Sequence, residues 1–428
     1  MAADLQPMAV APRSPGDYAP LAGGRAVEAV QDAAAALRGV RVLHVSAAGA
    51  PGPVPELLGG VLPLAAGAGV AVEWRVLFAD PDLRRVGAAL EHGLRGGESA
   101  IGHDEWDGWA EACERVGRSL NGTADLVVLH DPGTLGLAAG LDVPVVWRCH
   151  LDASRAERDA LERVTGLLEA CRLTLVAHQS FTPEALRDDR LRAAPPGIDP
   201  LDSRNLDLEP RLPGRVVRPL GVDLDRPFVL QVVQLDRWDD PHAAIEAFRL
   251  AKAEEPDLQL VLAGLLDPSA AEDWRAAKEV SDYAAGLEDV LLLTSYEGLG
   301  SLEVGALQRL ARAALELSLR EGFDLAPCET LWKRTPVVGR ADGGLRLTVR
   351  DGVDGFLAAD PGQLAERLVE LVRDPGLAVE MGRAGRERVR ERFLVTAALE
   401  RELRALASLG VAAAGADAAP ATDSVAGP

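Results

Sequence analysis

With 428 residues the chain exceeds what one hydrophobic core ordinarily organises, and 48% hydrophobic against 4% aromatic residues means cores built from Ala, Leu and Val. A formal charge of -21, from 66 acidic against 45 basic residues with no local Lys/Arg cluster, argues against nucleic acid or an anionic membrane surface as partner. Cys113, Cys149, Cys171 and Cys328 lack C-x-x-C spacing, which excludes a zinc ribbon or a dense disulfide framework and predicts reduced, mostly buried thiols.

Residues 1–22 carry Pro and Gly without the charged-then-apolar order of a signal peptide, and no apolar run reaches the roughly 18 residues of a spanning helix, so a cytoplasmic protein is expected. Short aliphatic runs at 40–46, 72–78, 125–130, 143–149 and 173–177 then alternate with stretches of helical composition, which is the pattern of βα units feeding a parallel sheet. Residues 195–226, rich in Pro and charge, break that rhythm and read as an interdomain crossing. A second strand series follows at 228–233, 258–263, 290–294, 314–317 and 336–338, and 361–372 and 375–391 have helical patterns. The expected organisation is α/β: a partly disordered extension over 1–36, doubly wound domains over 37–212 and 213–395, and a C-terminal helix with a disordered tail over 396–428.

Such sheets place ligand crevices at the carboxyl ends of their strands. The most informative segment there is Arg320-Glu321-Gly322-Phe323-Asp324, with Glu329 on the helix that follows and Lys333 at its end. Acidic side chains so placed can chelate sugar or ribose hydroxyls, and the helix N-terminus offers backbone N–H groups to an anion. Each residue also has a plain structural reading: Glu329 as a solvated helix-face carboxylate, His150 as a hydrogen-bonded strand-end histidine, Arg148 as the partner of a nearby acid, Trp147 as core.

The two glutamates with seven residues between them resemble the retaining glycosyltransferases of family four. Trp147-Arg148-Cys149-His150-Leu151-Asp152, His130-Asp131-Pro132, Pro195-Pro196-Gly197-Ile198-Asp199 and Gly339-Arg340-Ala341-Asp342-Gly343-Gly344 are similar to the trehalose synthase and trehalose phosphorylase branch, over about residues 38 to 400. The resemblance implies the GT-B fold, two Rossmann-like domains facing across a cleft, and transfer of glucose from a nucleoside diphosphate sugar to a small sugar acceptor with retained configuration. It implies no metal and no cofactor, and leaves a homodimer open. Carried over, Glu321 would hold the donor sugar hydroxyls and Glu329 the ribose. His150 would face the reacting carbon, with Arg148 and Asp131 in the same crevice.

The pattern departs from the family where the diphosphate should sit. Gln234 stands where an Arg is expected, Asp239 where a Lys is expected, and Asp324 where a Gly follows the Glu-Gly-Phe motif. These exchanges make the expected phosphate pocket about four formal charges more negative. The first-domain turn at 47–56 holds prolines, which fix φ and remove amide donors, where a glycine-rich turn is expected. Two readings follow: a transferase with a rebuilt phosphate grip, or a catalytically impaired homologue that binds sugar or regulates. A phosphorylase would meet the same lack of cations. Convergence of Arg237, Arg320, Lys333 or Arg340 on the 322–324 loop favours the first; Asp239 and Asp324 lining an unpaired acidic cleft weakens it.

Overall fold

The structure is a computed structural model that describes residues 5–49, 52–77, 81–234, 239–266, 271–318, 322–341 and 343–412. Two compact units emerge, Met1–Ala194 with Leu399–Pro428, and Pro195–Ala398.

The first unit is built on a seven-stranded sheet. Its strands are β1 (Leu5–Met8), β2 (Arg41–Ser46), β3 (Ala71–Leu77), β4 (Leu126–His130), β5 (Val145–Cys149), β6 (Leu173–Val176) and β7 (Leu191–Ala193), in the order β1-β3-β2-β4-β5-β6-β7. β1 runs antiparallel to β3, and every other pairing is parallel. All five residues of β4 and of β5 are buried, as expected of central strands covered by helices on both faces. The strand order reverses between β2 and β4, and that switch point is where such a sheet forms its crevice.

The second unit holds β8 (Phe228–Gln234), β9 (Gln259–Leu265), β10 (Val290–Thr294), β11 (Ala313–Glu316), β12 (Val337–Arg340) and β13 (Gly355–Ala358) in an all-parallel sheet ordered β10-β9-β8-β11-β12-β13. Its switch point lies between β8 and β11. Aspartates start the surrounding helices: Asp240, Asp360 and Asp374 each accept an N–H from the first turn of a helix that begins with proline.

All ten strands expected from aliphatic runs are present. β1, β7 and β13 were not expected, because LQPM, LRA and GFLA are too short or too polar to stand out as buried strands. The segment 1–36 carries β1 and a helix at Gly24–Ala35 whose Val27, Val30, Ala33 and Ala34 are buried. The proline-rich stretch from 195 packs within the second unit: Ile198 bridges to Leu394, and Trp332 Nε1 donates to Asn205 O at 3.0 Å. The helix Val395–Ala407 then carries the chain from the second unit back into the first. The expected C-terminal tail, from 413 on, lies outside the described residues. All four cysteines are free and buried. Among the described residues no helix is long and apolar enough to cross a membrane.

Candidate active site

In the second unit the loops after β8, β11 and β12 meet at the switch point. A pocket there is lined by Glu316, Ser318, Gly322, Asp324, Arg340 and Gly344, among others. The loops at 322–324 and 343–344 touch so closely that a Cβ on Gly344 would lie 2.1 Å from Gly322 O, so no side chain fits there. Phe323 packs on Phe393 with ring centroids 5.2 Å apart.

Among the described residues, acids outnumber cations around the pocket. Ser318 Oγ lies 2.7 Å from Glu316 Oε1 and 2.8 Å from Asp239 Oδ1. Burial, then the neighbouring Asp324 and Asp239, push the Glu316 carboxyl well above the usual range. One hydroxyl proton on Ser318 serves only one of the two acids at a time, so the second contact is a hydrogen bond only when that acid itself carries a proton. Asp324 Oδ1 accepts the Ala326 N–H at 2.9 Å, taking for itself a first-turn donor that the sequence offered to an anion. Arg340 lines the pocket and is ion-paired with Asp240.

Glu329 is 13% exposed and held from several sides. Its Oε1 accepts from Asn205 Nδ2 at 3.3 Å and lies 3.9 Å from Arg204 Nε. Lys333 donates to Asn205 Oδ1 at 3.0 Å and to Glu329 O at 3.3 Å. Burial lowers the Lys333 ammonium to about 8, with Glu329 opposing that shift. Lys333 therefore braces the Glu329 helix against the 199–205 loop.

In the first unit β2, β4 and β5 end at the other switch point. Register puts His44 opposite Val128 and His130 opposite Arg148. Residues two apart share a face, so His44, His130, Arg148 and His150 all project from the same side of the sheet. His44 Nδ1 lies 3.0 Å from His130 Nε2, and His130 Nδ1 lies 3.0 Å from His150 Nε2. Arg148 Nη1 pairs with Glu402 Oε2 at 2.8 Å, and Nη2 donates to Ala194 O at 3.1 Å. Asp131 follows His130 with φ of 69°, a left-handed conformation that costs a non-glycine residue about 1 kcal/mol or more. Its Oδ2 accepts the Ala47 N–H at 3.1 Å, tying the proline-containing turn to the end of β4. Burial raises the Asp131 carboxyl to about 7.

The family profile described as "Trehalose synthase, N-terminal domain" matches residues 44–183, and "Glycosyl transferases group 1" matches residues 216–388. The trehalose synthase of Rubrobacter xylanophilus is 34% identical over 390 residues, covering 89% of this chain and 93% of the relative. The chain belongs to the trehalose synthase family of glycosyltransferases. The trehalose synthase of Pyrococcus horikoshii is 31% identical over 401 residues, 92% of this chain and 96% of that one. The GT-B fold of the family is also that of the solved α,α-trehalose 6-phosphate synthase from Burkholderia multivorans (TM-score 0.69, 16% identity, 88% of this chain, 100% of that chain). Anabaena HepE in complex with UDP shares it too (TM-score 0.66, 19% identity, 86% and 100%).

Of the residues the sequence singled out, Gly322, Asp324 and Asp239 meet around one pocket, and Phe323 lies in its loop. Glu329, on the helix Ala326–Trp332, and Lys333, directly after it, form a second cluster. His150, Arg148 and Asp131 gather at the ends of β4 and β5. Gln234 ends β8 at the same switch point as Glu316. Glu321, Arg237 and Arg320 lie outside the described residues, as does the side chain of Gln234. Sequence reasoning missed Glu316, Ser318, His44, Glu402, Arg204 and Asn205. Glu316 at the end of a buried run, and a histidine inside the first aliphatic run, were visible signals. Glu402 offers none, since only the return of the last helix brings it to Arg148.

Proposed function

We propose that this chain is a retaining, metal-independent glucosyltransferase that takes glucose from a nucleoside diphosphate sugar and passes it to a sugar acceptor, with trehalose as product when the acceptor is glucose. Glu329 holds the ribose, Glu321 the donor sugar hydroxyls, and His150 with Arg148 and Asp131 faces the reacting sugar. The observation that carries the reading is the bracing of Glu329 by Asn205, Arg204 and Lys333, which fixes a carboxylate where the family places its nucleotide contact, within a match spanning 93% of a trehalose synthase. In the transfer the bond from the anomeric carbon to the phosphate oxygen breaks. The acceptor oxygen forms its bond on the same face, and its proton passes to the leaving phosphate. The chemistry therefore depends on stabilising charge on that phosphate. Retention and metal independence rest on the family resemblance. UDP bound to the solved HepE supports a nucleotide donor, and four buried free thiols agree with a cytoplasmic setting.

The carboxylates of Glu316, Asp239 and Asp324 around the pocket favour a second reading, a catalytically impaired homologue that binds sugar. Incubation of UDP-, ADP- and GDP-glucose with glucose, with and without EDTA, separates the two. Trehalose that forms in EDTA and vanishes in Glu329→Ala supports the transferase. No product, and no nucleotide binding by calorimetry at millimolar concentration, supports the impaired homologue.

A further inference from the structure

His130 is fully buried and its two ring nitrogens each lie 3.0 Å from a neighbouring imidazole nitrogen. The ring centroids of both pairs are 5.3 Å apart, with planes 26° and 15° from parallel. A neutral imidazole carries one proton, and each nitrogen–nitrogen hydrogen bond needs one. The proton of His130 therefore decides both bonds. If it sits on Nε2, His44 Nδ1 accepts and His150 must donate from Nε2. If it sits on Nδ1, His44 Nδ1 donates and His150 Nε2 accepts. Only two arrangements exist, and they give His150 Nδ1 opposite characters at the partly exposed end of the array.

The far end decides between them. His44 Nδ1 is taken by His130, so Nε2 is the nitrogen left, and His44 and Glu402 line one small pocket between the sheet and the helix Val395–Ala407. The rest of its lining is apolar, with Val42, Val61, Leu62, Leu399 and Leu403 among it, so Glu402 is the pocket's one anion among the described residues. A buried carboxylate favours an N–H pointing at it, and aligned hydrogen bonds reinforce one another in a low dielectric.

We infer that Glu402, His44 and His130 are positioning residues: they align three N–H bonds toward Glu402, lock the His150 proton on Nε2, and present His150 Nδ1 as an unprotonated acceptor for a sugar hydroxyl. The sugar as ligand rests on the function proposed above; the proton arrangement does not. Burial keeps all three rings neutral, with Glu402 opposing the shift at His44. Arg148, paired with Glu402, adds a cation that further disfavours a charged ring.

The test is nitrogen-15 NMR of histidine-labelled full-length protein near pH 7, with kinetics on the same variants. In the wild-type protein His150 should be protonated on Nε2 and bare on Nδ1. In His44→Phe the acceptor for His130 is gone, so the proton of His150 should move to Nδ1. There kcat should fall by about tenfold to a hundredfold, the range seen when an orienting partner is lost, with KM for the donor within about twofold. His44→Asn restores an acceptor oxygen and should return kcat to within about threefold of wild type. If His44→Phe fails to fold, Glu402→Gln read by the same spectra replaces it, with a mixed tautomer at His150 expected. A wild-type His150 protonated on Nδ1, or a tautomer unmoved in the variants, overturns the inference. So does His44→Asn being as slow as His44→Phe. A tautomer that follows His44 in a protein that transfers no glucose upholds the array and removes the transferase reading instead.

Discussion

Arg148 Nη1 lies 2.8 Å from Glu402 Oε2, and each side chain is only 3% exposed. The pair joins the central strand β5 to the helix that returns from the second unit, so it fastens the chain's last helix to the sheet carrying the histidines. Removing one partner strands a buried charge. Glu402→Leu and Arg148→Leu should each lower stability by about 3–5 kcal/mol, whereas the double variant should lose much less than the sum. Urea unfolding of the four proteins followed by tryptophan fluorescence checks this, and additive losses would mean the two charges are not coupled.

The histidine array makes stability sensitive to acid. Burial lowers His44 to about 4 and His150 to about 3, and lowers His130 well below its ordinary value. A histidine depressed in the folded state is protonated first in the unfolded chain. The stability it contributes is therefore complete above about pH 6.5 and is lost as pH falls toward the folded value. Between about pH 5.5 and 4.5 each such ring adds on the order of 1 kcal/mol per pH unit to the slope. Unfolding free energy measured across that window should show a steep decline, and His44→Asn should make it shallower by about one such increment.

Legibility of this chain followed burial. Runs such as LVVLH and VVWRC are covered on both faces and stand out in the sequence; β13, reading GFLA, is mostly buried but too short to distinguish from a loop. Motif residues close in sequence, such as Asp131 or Gly322-Phe323-Asp324, were also found. Contacts that join distant segments were not: Asn205 to Lys333, Asp239 to Ser318, Glu402 to Arg148. Motif position gives the neighbourhood of Lys333 but not the direction of its flexible ammonium, which donates to Asn205.

Asp131 should behave in the opposite sense to the histidines. Burial raises its carboxyl from 3.8 to about 7, against the pull of the Ala47 N–H. The folded state then keeps a proton the unfolded chain has released, so stability is lost as pH rises from about 4 to 7. Asp131→Asn keeps an acceptor for Ala47 and has no charge to bury. It should be more stable than wild type at pH 8 by on the order of 1–3 kcal/mol, with the advantage gone near pH 4. The same variant should lose transferase activity, and thermal unfolding with a trehalose assay at both pH values tests both halves.

The acidic pocket makes a prediction about donor affinity. A diphosphate brought beside Glu316, Asp239 and Asp324 raises the Glu316 carboxyl further, since like charges disfavour its ionisation. Binding should therefore take up protons and weaken as pH rises through the range where Glu316 titrates. Calorimetry of UDP-glucose in buffers of different ionisation enthalpy reads that uptake directly. Replacing an acid by the family's residue should act in the reverse direction: a charge-assisted contact is worth about 1.5–3 kcal/mol, so Asp239→Lys should tighten binding by about tenfold or more. Asp324→Gly should also tighten it and flatten the pH dependence. It gives up the bond to the Ala326 N–H, at a stability cost of about 1 kcal/mol. If both variants bind no better than wild type, the pocket is not where the phosphates go, and Glu329 must hold a ligand of another kind.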